Sequence, residues 1–512
     1  MTKTAVISVP RIEPHRPPTG AAIICEICRL KSHDVTAYDL NIEFYHYCKT
    51  KNINYYNYEA AWEGNGLVSE YEQQSYLDFI DQWVDSVQKE NYDYIMLSIF
   101  GFSGHEFAFD FLKKLRPLTR AKIICGGMGV SAVKLVDNDS CFGQGLLDKQ
   151  LIDCFISGEG EHALINYLDG KDGPGINNNY PDQIGDLDSL PFPNYSYFDL
   201  DKYDYLTEKR DVFITGSRGC VRKCTYCDVE RYWPKYRYRS GQNIADEIIQ
   251  NYEHYGITNF YFTDSLLNGS LKAFADMCDK LANYKFDTPI SWQGQFIFRP
   301  KNGTPKDHYA MIKAAGGDTF YVGIETGSDR VRFEMGKKFT NDDIDFNLEE
   351  MSKNDLRVMF LMFTGYVTET IEDHQDNLKT FPRWKKYVAD GTIMGVDLGL
   401  NLVVLPGSPV ERMIDHYQMR FLTDKAGDPG IGLWETDANP DLTIYERMCR
   451  KIEVHEEAIK HYWPVWRQAN RLLSLKNFIV QNNLHLNQER NFVKIVQDQD
   501  KKIIIPIRNI TA

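Results

Sequence analysis

The chain has 512 residues, of which 43% are hydrophobic and 25% are charged, and its formal net charge is −14. This length predicts two to four domains, and the composition is that of a folded soluble protein. No stretch reaches the roughly 18 uncharged apolar residues of a membrane-spanning helix, and the acidic balance disfavours a broad nucleic-acid surface. The odd number of cysteines, 11, argues against a complete disulfide framework. We therefore expect a cytoplasmic protein that has no transmembrane segment and does not bind nucleic acid.

The first 170 residues alternate strand-like apolar runs with helical periods. This alternation predicts a doubly wound, Rossmann-like parallel sheet over residues 1–170. Tyr45–Gln74, which is rich in tyrosine and asparagine, interrupts the pattern and is expected to be a surface insertion. The predicted strands are Lys3–Val9, Val35–Leu40, Tyr94–Phe100, Ala121–Cys125 and Cys154–Ser157, and the predicted helices include Ala21–Leu30, Tyr76–Lys89 and Phe107–Leu115.

Glycine and polar residues follow the predicted strands of this sheet. Ligands of doubly wound sheets bind in the loops at the carboxyl ends of the strands, and glycine lets a backbone approach a ligand closely. We therefore expect the loop residues of this edge to contact a ligand. They are Ser98, Gly101, Gly126, Gly127, Gly158 and Glu159.

Residues 171–209 are dense in glycine, asparagine, aspartate and proline, which predicts a linker. A second alternating series over residues 210–410 has six strands, which predicts an open, partial α/β barrel rather than a closed eight-stranded one. Residues 411–512 predict a small C-terminal cap, with a helical stretch at Ile452–Leu475 kinked at Pro464 and a hairpin at Phe492–Ile507. The six strands are Val212–Thr215, Asn259–Thr263, Ile290–Gln293, Thr319–Ile324, Val358–Phe363 and Val396–Val404.

Three of the cysteines, Cys220, Cys224 and Cys227, follow the first strand of this second series. Thiolates are the ligands of iron–sulfur clusters, and these spacings let one loop wrap around a single four-iron cluster with one iron left open. A structural zinc loop is the alternative, but zinc takes four ligands and no further pair of ligands follows at the usual distance. Nearby cations are expected to favour the thiolate forms. They are Arg218, Arg222 and Lys223.

This motif resembles the signature of the radical S-adenosylmethionine (radical SAM) superfamily. The resemblance rests on the CxxxCxxC spacing, on the strand before it and on the aromatic Tyr226 just before the last cysteine. It implies a 4Fe–4S cluster whose open iron binds the amino and carboxylate groups of S-adenosylmethionine. In that superfamily, reductive cleavage yields methionine and a 5′-deoxyadenosyl radical, which abstracts hydrogen from a substrate.

Further strand ends resemble the same superfamily over about residues 210 to 410. Glu325 would contact the ribose of S-adenosylmethionine, although it could equally be an acid at a strand end that is paired with a lysine. Pro406 could simply end a strand. By this resemblance the residues that contact S-adenosylmethionine are Tyr226, Asp264, Glu325, Thr364, Gly365 and Pro406.

The first domain resembles the cobalamin-binding domain of cobalamin-dependent radical SAM enzymes. The resemblance implies that the loop residues from Ser98 to Glu159 named above lie against a corrin and its nucleotide tail. The Asp-x-His-x-x-Gly motif that supplies a histidine to cobalt is absent, and His105 and His162 are expected to be solvated or helix-capping residues. If cobalamin binds, its cobalt therefore has no histidine below it. The alternative is a degenerate domain that binds nothing.

Together these resemblances imply a radical SAM enzyme that methylates an unactivated carbon with the help of cobalamin. The first alternative is cyclisation, oxidation or rearrangement without methyl transfer. Outside enzymes, a cluster-containing electron carrier or a cobalamin sensor remains, and the absence of a fourth clustered cysteine argues against the carrier. The expected partners are a small-molecule, natural-product-like substrate and an electron donor such as flavodoxin or ferredoxin.

Overall fold

The computed structural model describes residues 1–10, 14–62, 67–131, 141–178, 183–207, 209–399, 401–421 and 434–466. Two parallel sheets, of five and six strands, dominate this part of the chain. The predicted α/β class, with a doubly wound sheet followed by a partial barrel, is confirmed. Within the described residues, none of the helices is long and apolar enough to cross a membrane.

The first sheet has five parallel strands in the order β2-β1-β3-β4-β5. Its two faces are both covered, because Met96 and Ile124 join one apolar cluster while their neighbours Leu97 and Ile123 join another. The strands are β1 Lys3–Ser8, β2 Asp34–Asp39, β3 Tyr94–Ser98, β4 Lys122–Gly126 and β5 Cys154–Ile156. The helices are α1 Thr19–Leu30, α2 Leu40–Thr50, α3 Tyr55–Trp62, α4 Glu70–Lys89, α5 His105–Leu115, α6 Met128–Ser131, α7 Phe142–Asp148 and α8 Gly160–Leu168.

The described residues of Tyr45–Gln74 contribute several side chains to the core, and the prediction of the segment as a surface insertion is wrong. It forms the end of α2, all of α3 and the start of α4. Tyr58 is buried, and its ring centroid lies 4.9 Å from that of the buried Phe44. The Tyr58 hydroxyl donates to the carbonyl of Glu72 at 2.5 Å. Composition misled here because a tyrosine can bury its ring while its hydroxyl keeps a partner.

The second sheet has six parallel strands in the order β6-β9-β10-β11-β12-β13. Since β6 and β13 stand at its two ends, the sheet is an open barrel in the part of the chain that the structure describes. The strands are β6 Asp211–Ile214, β9 Asn259–Phe262, β10 Ser291–Phe296, β11 Gly317–Glu325, β12 Arg357–Met362 and β13 Ile393–Leu398, with β7 Ser217–Arg218 and β8 Arg237–Tyr238 forming a separate antiparallel pair. The helices are α9 Val229–Tyr232, α10 Gly241–Tyr255, α11 Leu271–Asn283, α12 His308–Ala314, α13 Asp329–Glu334, α14 Asn341–Lys353 and α15 Ile371–Ala389.

The last strand, β13, ends earlier than its predicted end at Val404. Leu402 and Val404 are apolar and buried, but they lie in the loop after the strand and pack with Trp434 in a separate apolar cluster. The apolar run in the sequence therefore continues past the end of β13 because its last residues contact the C-terminal element. That element contains α16 Pro409–Arg412, β14 Met419–Phe421, β15 Trp434–Thr436 and α17 Ile444–Lys460.

The chain after α17 runs beside β13. Val396 donates its N–H to the carbonyl of Pro464 at 2.9 Å, and Trp466 donates its N–H to the carbonyl of Val396 at 2.9 Å. These bonds extend the sheet by one parallel rung. Pro464 lies beyond the end of α17, so in the described part of the chain it does not kink a helix, and the rest of the predicted helical stretch, residues 467–475, lies outside the described residues. The predicted hairpin at Phe492–Ile507 lies outside the described residues.

One loop of the first sheet reaches the barrel. Arg16, between β1 and α1, is buried and forms a two-pronged ion pair with Asp211 at the start of β6, with Nε 2.5 Å from Oδ1 and Nη2 3.1 Å from Oδ2. Its Cζ lies 4.8 Å from the ring centroid of Phe213 and 5.4 Å from that of Tyr261. Ion pairing and cation–π attraction together fix this contact between the two sheets.

We predict that Tyr58→Ala lowers the free energy of unfolding by about 3 kcal/mol, because it removes a buried ring and its hydrogen bond. Urea denaturation followed by circular dichroism measures this change. Tyr71→Ala is the control, since Tyr71 is 58% exposed and its loss should cost less than about 0.5 kcal/mol. Equal effects of the two variants would show that the segment is a surface feature after all.

Candidate active site

The three cysteines lie on the loop between β7 and α9. Gly219 begins this loop with φ of +88°, and a Cβ there would lie 2.9 Å from the carbonyl oxygen of Lys235. Only glycine fits this conformation and this close approach. The loop is thereby held against the segment that leads to β8. The Sγ of Cys220 accepts the N–H of Arg222 at 3.4 Å, and all three thiols are partly buried.

The electrostatics of the loop are set by burial and by two cations. Burial raises the pKa of each thiol, that of Cys227 to about 11. The charge of Lys337 opposes this rise in the pKa of Cys220 and Cys224, and Arg222 adds to the opposition at Cys220. Because a thiol must lose its proton to bind iron, these two cations favour metal binding.

The expectation that three nearby cations support the thiolates is right for Arg222 and wrong for the other two. Arg218 turns toward two carboxylates of the first sheet, and Lys223 pairs with Glu230 at 3.1 Å. Lys337 supplies the second cation instead. It lies far along the chain, so no local pattern could have identified it.

The donor set fits the implied cluster. Among the described residues, no three His, Cys, Asp or Glu side chains are arranged to hold a single metal ion. A four-iron cluster differs from a single ion because each thiolate binds a separate iron atom. Three soft thiolates on one partly buried loop suit such a cluster with one iron open.

Glu325 stands at the carboxyl end of β11 with φ of +63°, where the register with β12 shifts. Its Oε1 accepts the hydroxyl of Tyr226 at 2.8 Å and lies 2.7 Å from Nζ of Lys337. A glutamate with positive φ persists only where its surroundings hold it. The carboxylate is therefore fixed beside the cysteine loop. The pairing with a lysine, which was the alternative interpretation of this residue, is present.

Thr364 and Gly365 follow β12, the strand next to β11. Thr364 is buried, and Gly365 has φ of +74°, where a Cβ would lie 2.7 Å from the side chain of Arg447 in α17. The C-terminal helix thus borders this strand end. Pro406 lies in the loop after β13, and its carbonyl accepts from Arg231 at 3.4 Å.

Asp264 supports the start of β7, the strand that leads into the cysteine loop. It is buried, and its carboxylate accepts the N–H of Gly216 at 2.8 Å and the hydroxyl of Ser217 at 2.5 Å. Burial raises its pKa to about 6, although both hydrogen bonds oppose the rise. These contacts fix the start of β7, from which the cysteine loop follows.

A cavity of about 620 Å³, here named the inter-sheet cavity, lies between the carboxyl edge of the first sheet and the barrel. On the barrel side it is bordered by Phe213, Thr215, Thr263 and Ser265, and it reaches the cysteine loop at Gly219. A ligand in this cavity would therefore touch the first sheet and lie next to the cysteine loop.

Most of the predicted ligand-binding loop residues line the inter-sheet cavity, although Gly101 does not. At Gly126 a Cβ would meet only Ile156, at 3.8 Å or more, so a larger side chain there would enter the cavity. The residues that line it as predicted are Ser98, Gly126, Gly127, Gly158 and Glu159. Its apolar wall includes Ile23, Ile27, Met96, Ile124, Ile156 and Leu164.

No histidine lines this cavity in the described part of the chain. His105 is buried rather than solvated: its Nε2 bonds to the carbonyl of Gly129 at 2.8 Å, and its ring stacks on Phe142 with centroids 3.8 Å apart. His162 is exposed on α8, as predicted. An apolar cavity with glycine edges and no imidazole fits the implied corrin without a histidine ligand.

Three side chains that shape these sites were not predicted. Lys337 lies beside Glu325, Arg447 lies against Gly365, and Arg237 pairs with Glu159. Arg237 had a weak local signal, because it alternates with aromatic residues in a strand-like run just after the cysteines. The other two reach the site only through tertiary packing.

Residues 214–381 match the Radical SAM superfamily. The chain carries a radical SAM domain. The cytidylyl-2-hydroxyethylphosphonate methyltransferase of Streptomyces wedmorensis is 27% identical over 169 residues, which are 31% of this chain and 30% of that protein. An anaerobic magnesium-protoporphyrin IX monomethyl ester cyclase of Synechocystis sp. is 26% identical over 212 residues, which are 37% of this chain and 41% of that protein. The chain thus spans less than half the length of these curated relatives.

Two solved structures share the arrangement of the radical SAM domain and the sheet before it. TsrM from Kitasatospora setae, a radical S-adenosylmethionine methyltransferase with cobalamin and a [4Fe-4S] cluster bound, aligns with a TM-score of 0.57 at 14% identity, over 83% of this chain and 78% of TsrM. OxsB, a cobalamin-dependent S-adenosylmethionine radical enzyme with aqua-cobalamin and S-adenosylmethionine bound, aligns with a TM-score of 0.62 at 16% identity, over 97% of this chain and 75% of OxsB. The fold is therefore that of cobalamin-dependent radical SAM enzymes.

We predict that the buried carboxyl of Asp264 makes stability fall with rising pH. Its folded-state pKa is raised from 3.8 to about 6. The stabilisation of the fold by the protonated carboxyl is therefore fully present below about pH 4 and is lost as the pH rises through about 6. The loss should be about 1.4 kcal/mol for each unit of the shift. Urea midpoints from pH 4 to pH 7 measure it, and the decline should be absent in Asp264→Asn. Parallel pH profiles for the two proteins would contradict the raised pKa.

Proposed function

We propose that this chain is a radical SAM enzyme that methylates an unactivated carbon of a small-molecule substrate. Cys220, Cys224 and Cys227 would hold a 4Fe–4S cluster, and the inter-sheet cavity would hold cobalamin. The observation that carries the proposal is that the glycine loops of the first sheet and the cysteine loop border one cavity. The solved structures of the same fold support it, since they are described with cobalamin bound.

S-adenosylmethionine would lie over the carboxyl ends of β11 and β12. Glu325 is held through Oε1 by Tyr226 and Lys337, which leaves Oε2 to accept a ribose hydroxyl. Thr364 and Gly365 would border the same ligand, with Pro406 on the next loop. In this scheme Asp264 acts through Gly216 and Ser217, because its carboxylate is already occupied by them.

When bound, the cluster and cobalamin would supply the electron for cleavage of S-adenosylmethionine and the methyl group to be transferred. The residues of the chain would bind and orient these groups and exclude water from them. The apolar wall of the inter-sheet cavity, which includes Met96 and Ile124, would keep water from a corrin face. Lys337 would favour the thiolate forms of Cys220 and Cys224, and Arg222 would favour that of Cys220. The electron would come from a donor such as flavodoxin or ferredoxin in the cytoplasm.

A second candidate function is cyclisation, oxidation or rearrangement with the same cofactors and without methyl transfer. The observation that favours it is the match to an anaerobic magnesium-protoporphyrin IX monomethyl ester cyclase at 26% identity. The mass of the product separates the two candidates, because methylation adds one methylene unit to the substrate and cyclisation or rearrangement does not.

We predict that anaerobic reconstitution with iron, sulfide and hydroxocobalamin gives about four irons and one cobalt per chain. The triple variant Cys220→Ala, Cys224→Ala, Cys227→Ala should lose the iron and keep the cobalt. Metal analysis measures both. Formation of 5′-deoxyadenosine from S-adenosylmethionine under reducing conditions would exclude a carrier or sensor. Iron without cobalt would overturn the cobalamin assignment, and the absence of iron would overturn the radical SAM assignment.

We predict that Gly126→Leu lowers the bound cobalt at least about tenfold while the iron stays at the wild-type level, because the new side chain would occupy the cavity. Gly145→Leu on α7 is the matched control, since a Cβ there meets no atom within 4 Å. It should bind both metals as the wild type does. Unchanged cobalt in Gly126→Leu would place cobalamin elsewhere.

A further inference from the structure

Two arginines of the barrel and two glutamates of the first sheet are buried together beside the inter-sheet cavity, and all of them except Arg237 line it. Nη1 of Arg218 lies 2.6 Å from Oε2 of Glu159, and Nη2 of Arg218 pairs with Glu161. Arg237 pairs with both oxygens of Glu159, with Nη1 2.9 Å from Oε2. Their side chains are at most 14% exposed. We name Glu159, Glu161, Arg218 and Arg237 the charge clamp.

The two arginines of the charge clamp stand opposite each other in the β7–β8 pair. Gly219 and Cys220 directly follow β7 in the chain. Two guanidinium groups side by side in a buried position repel each other unless anions balance them. Glu159 and Glu161 supply these anions, because each of them forms an ion pair with Arg218. The entry of the cysteine loop therefore depends on two carboxylates that belong to the other sheet.

The two glutamates stand in the loop after β5 and at the start of α8, at the glycine-lined edge of the cavity. Glu159 follows Gly158, which has φ of +70°. Its Oε2 also accepts the N–H of Ile184 at 3.2 Å, and Arg237 donates to the carbonyl of Ile184 at 2.6 Å. Glu159, Glu161 and Arg218 all line the inter-sheet cavity. A ligand that fills the cavity thus packs against the side chains that hold the cysteine loop.

We propose that the charge clamp couples the two cofactor sites, so that filling the inter-sheet cavity stabilises the iron-loaded cysteine loop. Glu159 is in this view a positioning residue for the loop rather than a contact that selects cobalamin. The proposal rests on the proposed function, because it takes cobalamin as the occupant of the cavity. The coupling is reciprocal: two ligands that favour the same arrangement of a shared wall raise each other's affinity by the same factor.

The first experiment measures the rate at which reconstituted protein loses iron to the chelator bathophenanthroline disulfonate, with and without hydroxocobalamin. In the wild type, hydroxocobalamin should slow the loss about fivefold or more. Glu159→Gln keeps the shape of the side chain and removes its charge, so the loss should be the same with and without hydroxocobalamin. Asp169→Asn is the control: it breaks the ion pair with Lys31 at 2.5 Å, and neither residue lines the cavity. It should keep the wild-type protection.

The second experiment titrates hydroxocobalamin by absorbance into iron-loaded and iron-free protein. In the wild type, the iron-loaded protein should bind hydroxocobalamin more tightly than the iron-free protein, and in Glu159→Gln the ratio of the two affinities should be close to one. Glu161→Gln keeps Glu159, which bridges the two arginines, and should give an intermediate affinity ratio. This variant tests the coupling if Glu159→Gln does not fold. Hydroxocobalamin that does not bind the wild type would overturn the proposed function. Binding with equal protection in the wild type and both glutamate variants would overturn the coupling alone.

Discussion

Two positive charges that have to be buried side by side are the central constraint of this molecule. The entry of the cysteine loop brings Arg218 and Arg237 together, and their counter-charges, Glu159 and Glu161, come from the other sheet. A buried guanidinium without a partner destabilises a fold strongly, whereas a fully paired group is tolerated. The ion pairs therefore fix the cysteine loop against the first sheet, at the edge of the inter-sheet cavity. The glycine at 219 and the buried carboxyl at 264 complete the support from the barrel side.

Much of the fold could be predicted from the sequence because both sheets are parallel and their strands alternate with helices along the chain. Such strands appear as short, largely apolar runs between helical periods, and the predicted and observed starts of β1, β3 and β9 agree to the residue. The cysteine loop could be predicted because its three cysteines stand within eight residues of one another, directly after a strand. The loop residues of the first sheet could be predicted because parallel strands bring their carboxyl ends to one edge, and five of them do line one cavity.

What could not be predicted depends on contacts between residues that are distant in the chain. The positive charges of Arg218 and Arg222 look alike in the sequence, yet Arg218 pairs with the first sheet while the charge of Arg222 opposes the rise in the pKa of Cys220. Lys337 reaches Glu325 only because the chain folds back after β11. Composition alone does not tell whether a tyrosine ring points inward, and for this reason Tyr58 was assigned to the surface.

The reach of Arg16 into the barrel bears on how chains of this kind can recombine. Its guanidinium belongs by sequence to the first sheet, but it neutralises Asp211 and covers the rings of Phe213 and Tyr261. A chimera that took its first sheet from a relative without an arginine at this position would leave Asp211 buried with its main counter-ion removed. With such a relative, a chimera joined within the linker at residues 171–209 would combine a first sheet and a barrel that lack this ion pair. Residues 14–18 should therefore come from the same parent as the barrel. The segment that can be exchanged as a unit is then not a single continuous stretch of the chain.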